Sequence, residues 1–114
     1  MSNGGSAMSR QDIIDQPVST CPQLHQFLGG YFHQDWALDR DRWEPVVDEF
    51  ISESPHSVVV ETADELRGML AASLTDSELT AVLDRLGASV SPAGSGLTPS
   101  AWLEAVLQRL LSAR

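Results

Sequence analysis

There is no lysine in this chain of 114 residues; all seven basic side chains are arginine. That absence excludes a Schiff-base lysine, a phosphate-loop lysine and a lysine general base. Cysteine is almost missing as well. Cys21 stands alone, so no internal disulfide can form and an oxidising compartment offers the chain nothing. No apolar run approaches the roughly 20 residues that span a bilayer. The opening "MSNGGSAMSRQD" lacks the apolar core of a secretory signal. We therefore expect a soluble, cytoplasmic protein with no membrane partner. Met8 offers a second start, which would make "MSNGGSA" an appended sequence.

What is present is acid. Sixteen carboxylates against seven arginines give a net charge of -9. Phosphate contacts need clustered cations, so the balance argues against nucleic acid and fits a basic protein partner, whose complementary field would steer association. The length suits one domain with a single modest core.

Periodicity organises the rest. Residues 1–20 show little of it, with only Ile13, Ile14 and Val18 able to pack, and we expect a flexible tail there, able to fold back locally, followed by a helical domain over 21–114. Pro22 suits a first helical position, and Leu24, Phe27, Leu28 and Tyr31 then share one helix face. Gly29 and Gly30 weaken that helix and allow a neighbour to approach closely. "HQDWALDRDR" reads as a polar connection in which Trp36 and Leu38 point inward. Trp43, Val46, Val47, Phe50 and Ile51 repeat the helical spacing beside Pro45. Val58–Val60 is β-branched and strand-compatible, but Ala63, Leu66, Leu70 and Leu74 continue it as a helix. "TDSE" is a capping box on Thr75 and Glu78, ahead of Leu79, Val82, Leu83 and Leu86, with Gly87 as the terminator. A last helix starts at Thr98–Pro99 and buries Trp102, Leu103, Val106, Leu107 and Leu110. The expected fold is all-α, a small single-domain bundle of about five helices.

Two kinds of active chemistry compete with plainer readings of the same residues. His25, His33, Asp35 and Asp39 are metal-ligand types. On one continuous helix His25 and His33 lie about 12 Å apart along the axis, too far for a single ion. His33 and Asp35 alone make a weak site, and the plainer reading is a helix end with polar caps. Cys21 at a helix start with His25 four residues on could serve as a nucleophile, but the surrounding acids disfavour a thiolate, and no G-x-S-x-G turn supports a serine enzyme. We expect no catalytic residues, no metal and no cofactor. A hydrolase or metal enzyme using His25, His33 and Asp35 stays as the enzymatic alternative.

The acids carry the stronger signal. Asp35, Asp39, Asp41, Glu44, Asp48, Glu49, Glu53, Glu61, Asp64 and Glu65 fall in one stretch, opposed only by Arg40 and Arg42. Any one of them is an ordinary solvated side chain. Together they crowd like charges at a cost to stability, which a recognition surface would explain. The expected partner-binding residues are Asp35, Asp39, Asp41, Glu44, Asp48, Glu49 and Glu53, with Glu44 and Asp48 paired four apart on the outer face.

The string "PQLHQFLGGYFHQDW" resembles the opening motif of the contact-dependent growth inhibition immunity proteins of the CdiI type. The matching positions are Leu24, Phe27, Leu28, Tyr31, Phe32, His33, Gln34, Asp35 and Trp36, followed by Val47, Asp48, Glu49 and Phe50. Ser77, Glu78, Leu79, Leu83, Arg85, Leu86 and Gly87 are similar to a later helix of that family, and Trp102, Leu103, Val106 and Leu110 to its last. The likeness covers about residues 22–111, with "YFHQDW" its most specific part. It implies an immunity protein that neutralises a cognate contact-delivered (CdiA C-terminal) toxin domain. Many such toxins are nucleases, whose basic groove an acidic face could occupy. The other reading of the same charge is a small acidic adaptor or regulator for a different basic protein.

Overall fold

The computed structural model describes residues 9–32, 42–88 and 96–112. Among these, every regular element is a helix: α1 (Arg10–Asp15), α2 (Pro17–Thr20), α3 (Pro22–Tyr31), α4 (Glu44–Glu53), α5 (His56–Ala71), α6 (Asp76–Arg85) and α7 (Pro99–Ser112). The all-α expectation holds, and the five long helices stand where their periodicity placed them.

Within the expected tail, the described residues 9–20 fold locally into α1 and α2. Ser9 caps α1 by accepting the Asp12 N–H at 3.0 Å, and the Thr20 hydroxyl donates to the Asp12 carbonyl at 3.1 Å. Ile13 is fully buried. Proline sets the boundaries: Pro17 opens α2 and Pro22 opens α3, and the preceding Gln16 and Cys21 leave helical geometry, with ψ of 63° and 66°. A residue before proline is pushed out of the α region, so the chain breaks into short helices there. Two cations then fasten α1 to α6. Arg10 pairs with Glu78, and Arg85 donates to the Ile14 carbonyl at 2.9 Å.

Val58–Val60 lies inside α5, which begins at His56 directly after Pro55. The buried face of α5 is Val59, Thr62, Ala63, Leu66 and Met69. The Thr62 hydroxyl donates to the Val58 carbonyl at 2.7 Å, so its burial leaves no polar atom unsatisfied. The helix stops at Ala71, and Ser73 adopts a left-handed backbone with φ 59°. On α6 the capping box forms in both directions: Glu78 N–H to Thr75 Oγ1 at 3.1 Å and Thr75 N–H to Glu78 Oε1 at 2.9 Å. Its far end is a Schellman turn. The Gly87 N–H meets the Asp84 carbonyl at 3.1 Å and the Ala88 N–H the Leu83 carbonyl at 3.0 Å, with Gly87 at φ +88°.

α7 packs on α5, α4 and α6, and α3 packs on α5 and α4. The core between them holds an aromatic chain. Phe27 lies 4.3 Å from Phe50 and edge-on to Phe32 at 5.7 Å, and Phe32 is edge-on to Trp102 at 5.4 Å between ring centroids. Of the two glycines expected to admit a neighbour, Gly29 does so. A Cβ there would meet the Leu86 carbonyl at 3.2 Å, whereas Gly30 faces open space.

Candidate partner-binding site

Four of the seven acids expected to bind a partner lie on α4: Glu44, Asp48, Glu49 and Glu53. Asp35, Asp39 and Asp41 lie outside the described residues, as do His33 and Trp36. Val46, Val47 and Phe50 bury one face of α4, which turns the carboxylates toward its flanks and outward.

The flanks are occupied differently. Asp48 receives a two-pronged bond from Arg109 of α7, Nε to Oδ1 and Nη2 to Oδ2, each 2.8 Å. This hydrogen bonding holds the Asp48 carboxyl below its usual range and raises the Arg109 guanidinium above its own. Glu44, one turn earlier, sits 3.5 Å from Arg42. On the opposite side, Glu53 accepts the Tyr31 hydroxyl at 2.6 Å. That bond, helped by desolvation and by the charges of Glu53 and Glu49, pushes the phenol up to about 12. Glu49 is half-buried.

Between α4 and α7 runs an open groove of about 680 Å³. Trp43, Ile51 and Ala105, all half-buried, give it apolar walls. Glu44, Asp48, Ser52, Gln108, Arg109 and Ser112 supply its polar lining. The α7 wall was not foreseen from the sequence. Arg109 is 61 residues from Asp48, and its one local signal is its place in the last turn of a helix.

One acid of the acid-rich stretch is structural. Glu65 on α5 accepts the Leu24 N–H at 2.9 Å and is also bonded to the Gln23 N–H, capping α3, whose N-cap residue Cys21 does not cap the helix with its side chain. Burial raises the Glu65 carboxyl above its usual value; the two N–H donors oppose that shift and the charge of Glu61 adds to it. Desolvation, then the charge of Glu65, pushes the fully buried Cys21 thiol up to about 12. A thiol so placed holds no thiolate at neutral pH and is no nucleophile. His25 Nδ1 lies 3.1 Å from the Leu86 carbonyl, so one ring nitrogen serves the contact between α3 and the end of α6. Among the described residues no three His, Cys, Asp or Glu side chains gather as a metal site would require. No described helix is long and apolar enough to cross a membrane.

The family model of the CdiI immunity protein matches residues 20–110. The chain belongs to the CdiI immunity protein family. The matched span runs from the end of α2 into the last turn of α7 and includes both helices of the groove. No curated protein and no solved structure matches the chain. CdiI immunity proteins are inhibitors and not enzymes.

Proposed function

We propose that the protein binds the C-terminal domain of its cognate contact-delivered toxin in the cytoplasm and neutralises it by covering a basic surface with an acidic one. The family supplies the class of partner. The observation that carries the mechanism is the charge distribution: a net -9 chain whose acids crowd into one stretch, with Glu44, Asp48, Glu49 and Glu53 on a single helix whose opposite face is locked in the core. A nuclease fits best as the toxin, because an enzyme that grips phosphates must hold clustered cations at or near its active site. An acidic protein placed there competes with substrate without any chemistry of its own. The field also extends beyond contact distance, so it speeds encounter as well as strengthening the complex.

The test is co-expression with the toxin domain from the adjoining reading frame. The two chains should purify together, and the toxin's activity on nucleic acid should fall as this protein is added to equimolar amounts. A toxin domain that remains fully active, or an inhibitor that leaves no complex, would overturn the reading.

A further inference from the structure

Building on the toxin-binding reading, we propose that the groove between α4 and α7 receives an arginine side chain of the partner, which lies against Trp43 and takes over Asp48 from Arg109. Three observations on one patch converge on this occupant. The first is shape: the groove is open and its half-buried Trp43, Ile51 and Ala105 offer apolar surface to an aliphatic stem. The second is charge: Glu44 and Asp48 share its edge within the most acidic part of the chain, so a cation is the complementary guest.

The third is the chain's own guanidinium. Arg109 meets Asp48 through two parallel N–H···O bonds of 2.8 Å, which shows that this carboxylate is oriented for a planar fork. A lysine ammonium cannot reproduce that geometry. Both Arg109 and Asp48 remain substantially exposed, with side chains 40% and 54% accessible. Exposed pairs of this kind contribute little to stability, so exchanging Arg109 for an incoming arginine costs the fold little. An indole beside the exchanged guanidinium adds a cation–π contact. Glu44, only loosely held by Arg42 at 3.5 Å, is a second acceptor for the remaining N–H groups.

The experiment is a calorimetric titration of the toxin domain from the adjoining reading frame into the full chain and four variants, each checked for an unchanged melting temperature. Asp48→Asn should weaken binding about tenfold, and Trp43→Leu, which keeps apolar bulk without the ring, should weaken it several-fold. Arg109→Gln removes the competitor and should leave affinity unchanged or higher. Glu104→Gln, on α7 outside the groove, should change nothing. A loss of affinity in Asp48→Asn with none in Arg109→Gln supports the exchange. Equal losses in both would make the bridge a strut between helices and overturn it. Unchanged binding in all variants would place the toxin elsewhere, and a variant that alters the mass of the free chain in sedimentation would assign the groove to a second copy; either outcome overturns the proposal. Failure of the wild-type chain to bind at all sinks the toxin-binding reading itself.

Discussion

Glu65, in the middle of α5, caps α3 through its bond to the N–H of Leu24, 41 residues earlier in the chain. The start of α3 has free N–H groups and no acceptor of its own, so a carboxylate from the neighbouring helix fills the gap. The bond favours the charged form, burial opposes it more strongly, and the net direction of the Glu65 shift is upward.

The sign of the pH effect follows. A carboxyl raised in the folded state contributes stability that is fully present below its unfolded value and is lost as pH rises through the folded one. Glu65→Gln keeps an acceptor oxygen and removes the charge, so relative to wild type it should gain stability from pH 4 to pH 7. Glu65→Ala removes the acceptor as well and should lose about 1 kcal/mol at pH 4 and less at pH 7, since it too lacks the titrating carboxyl. Urea unfolding at the two pH values measures both. A glutamine variant that is penalised more at pH 7 than at pH 4 would show that the charge helps the fold.

The bond between Tyr31 and Glu53 has a direct optical readout, because Tyr31 is the sole tyrosine. Its hydroxyl should ionise near pH 12 instead of the usual 10, and the stability carried by that bond should persist below 10 and vanish as pH rises through about 12. Absorbance at the tyrosinate band should stay flat to about pH 10 in the wild type and rise chiefly near pH 12. Glu53→Gln should bring the rise to lower pH. Identical titration of the two proteins would mean that the bond is not held in solution.

Legibility in the sequence tracked the range of each interaction. The capping box of Thr75 and Glu78 and the left-handed Gly87 were readable because every partner lies within two turns of one helix. The buried faces of α3, α4, α6 and α7 were readable because Leu24, Phe27 and Leu28, or Trp102, Leu103 and Val106, repeat at the helical period. α1 and α2 escaped because six and four residues give a period nothing to repeat. The bond from Glu65 to α3 and the Asp48–Arg109 bridge depend on how separate helices pack. Glu65 therefore looked like one more solvated acid, and the groove had no signature at all.

Ser73 holds φ at 59°, a conformation that costs a residue with a Cβ about 1–2 kcal/mol. Glycine avoids that strain but has about 0.5–1 kcal/mol more backbone freedom to lose on folding. Ser73→Gly should therefore stabilise the chain by about 0.5–1 kcal/mol, seen as a higher urea midpoint at constant slope. A lower midpoint would show that the Ser73 hydroxyl makes a contribution larger than the backbone strain.

Trp102 and Trp43 meet edge-on at 5.9 Å but occupy different environments. Trp102 is 1% exposed at the centre of the core, while Trp43 is half-buried on the groove wall. Trp102→Ala should cost about 3–5 kcal/mol through lost burial and an unfilled cavity. Trp43→Ala should cost clearly less, since solvent already reaches the indole. Thermal melts of the two variants give the comparison; equal losses would mean that the groove closes over Trp43 in solution.

The acid-rich stretch can be separated from total charge by moving the same neutralisation around the surface. Glu44→Gln with Glu49→Gln removes two charges from α4. Glu104→Gln with Asp84→Asn removes two exposed charges from α7 and α6. Both pairs leave the chain at the same net charge, and neither removes a member of the Asp48–Arg109 bridge. Screening cuts the reach of exposed charge to about 8 Å at physiological ionic strength, so steering is local to the face that approaches. If α4 faces the toxin, the first pair should slow association several-fold at low salt and flatten its dependence on salt, while the second pair should behave nearly as wild type. Stopped-flow association with the toxin domain at several salt concentrations separates these outcomes. Equal slowing in the two pairs would mean that overall charge, and not the placement of acids on α4, drives the encounter.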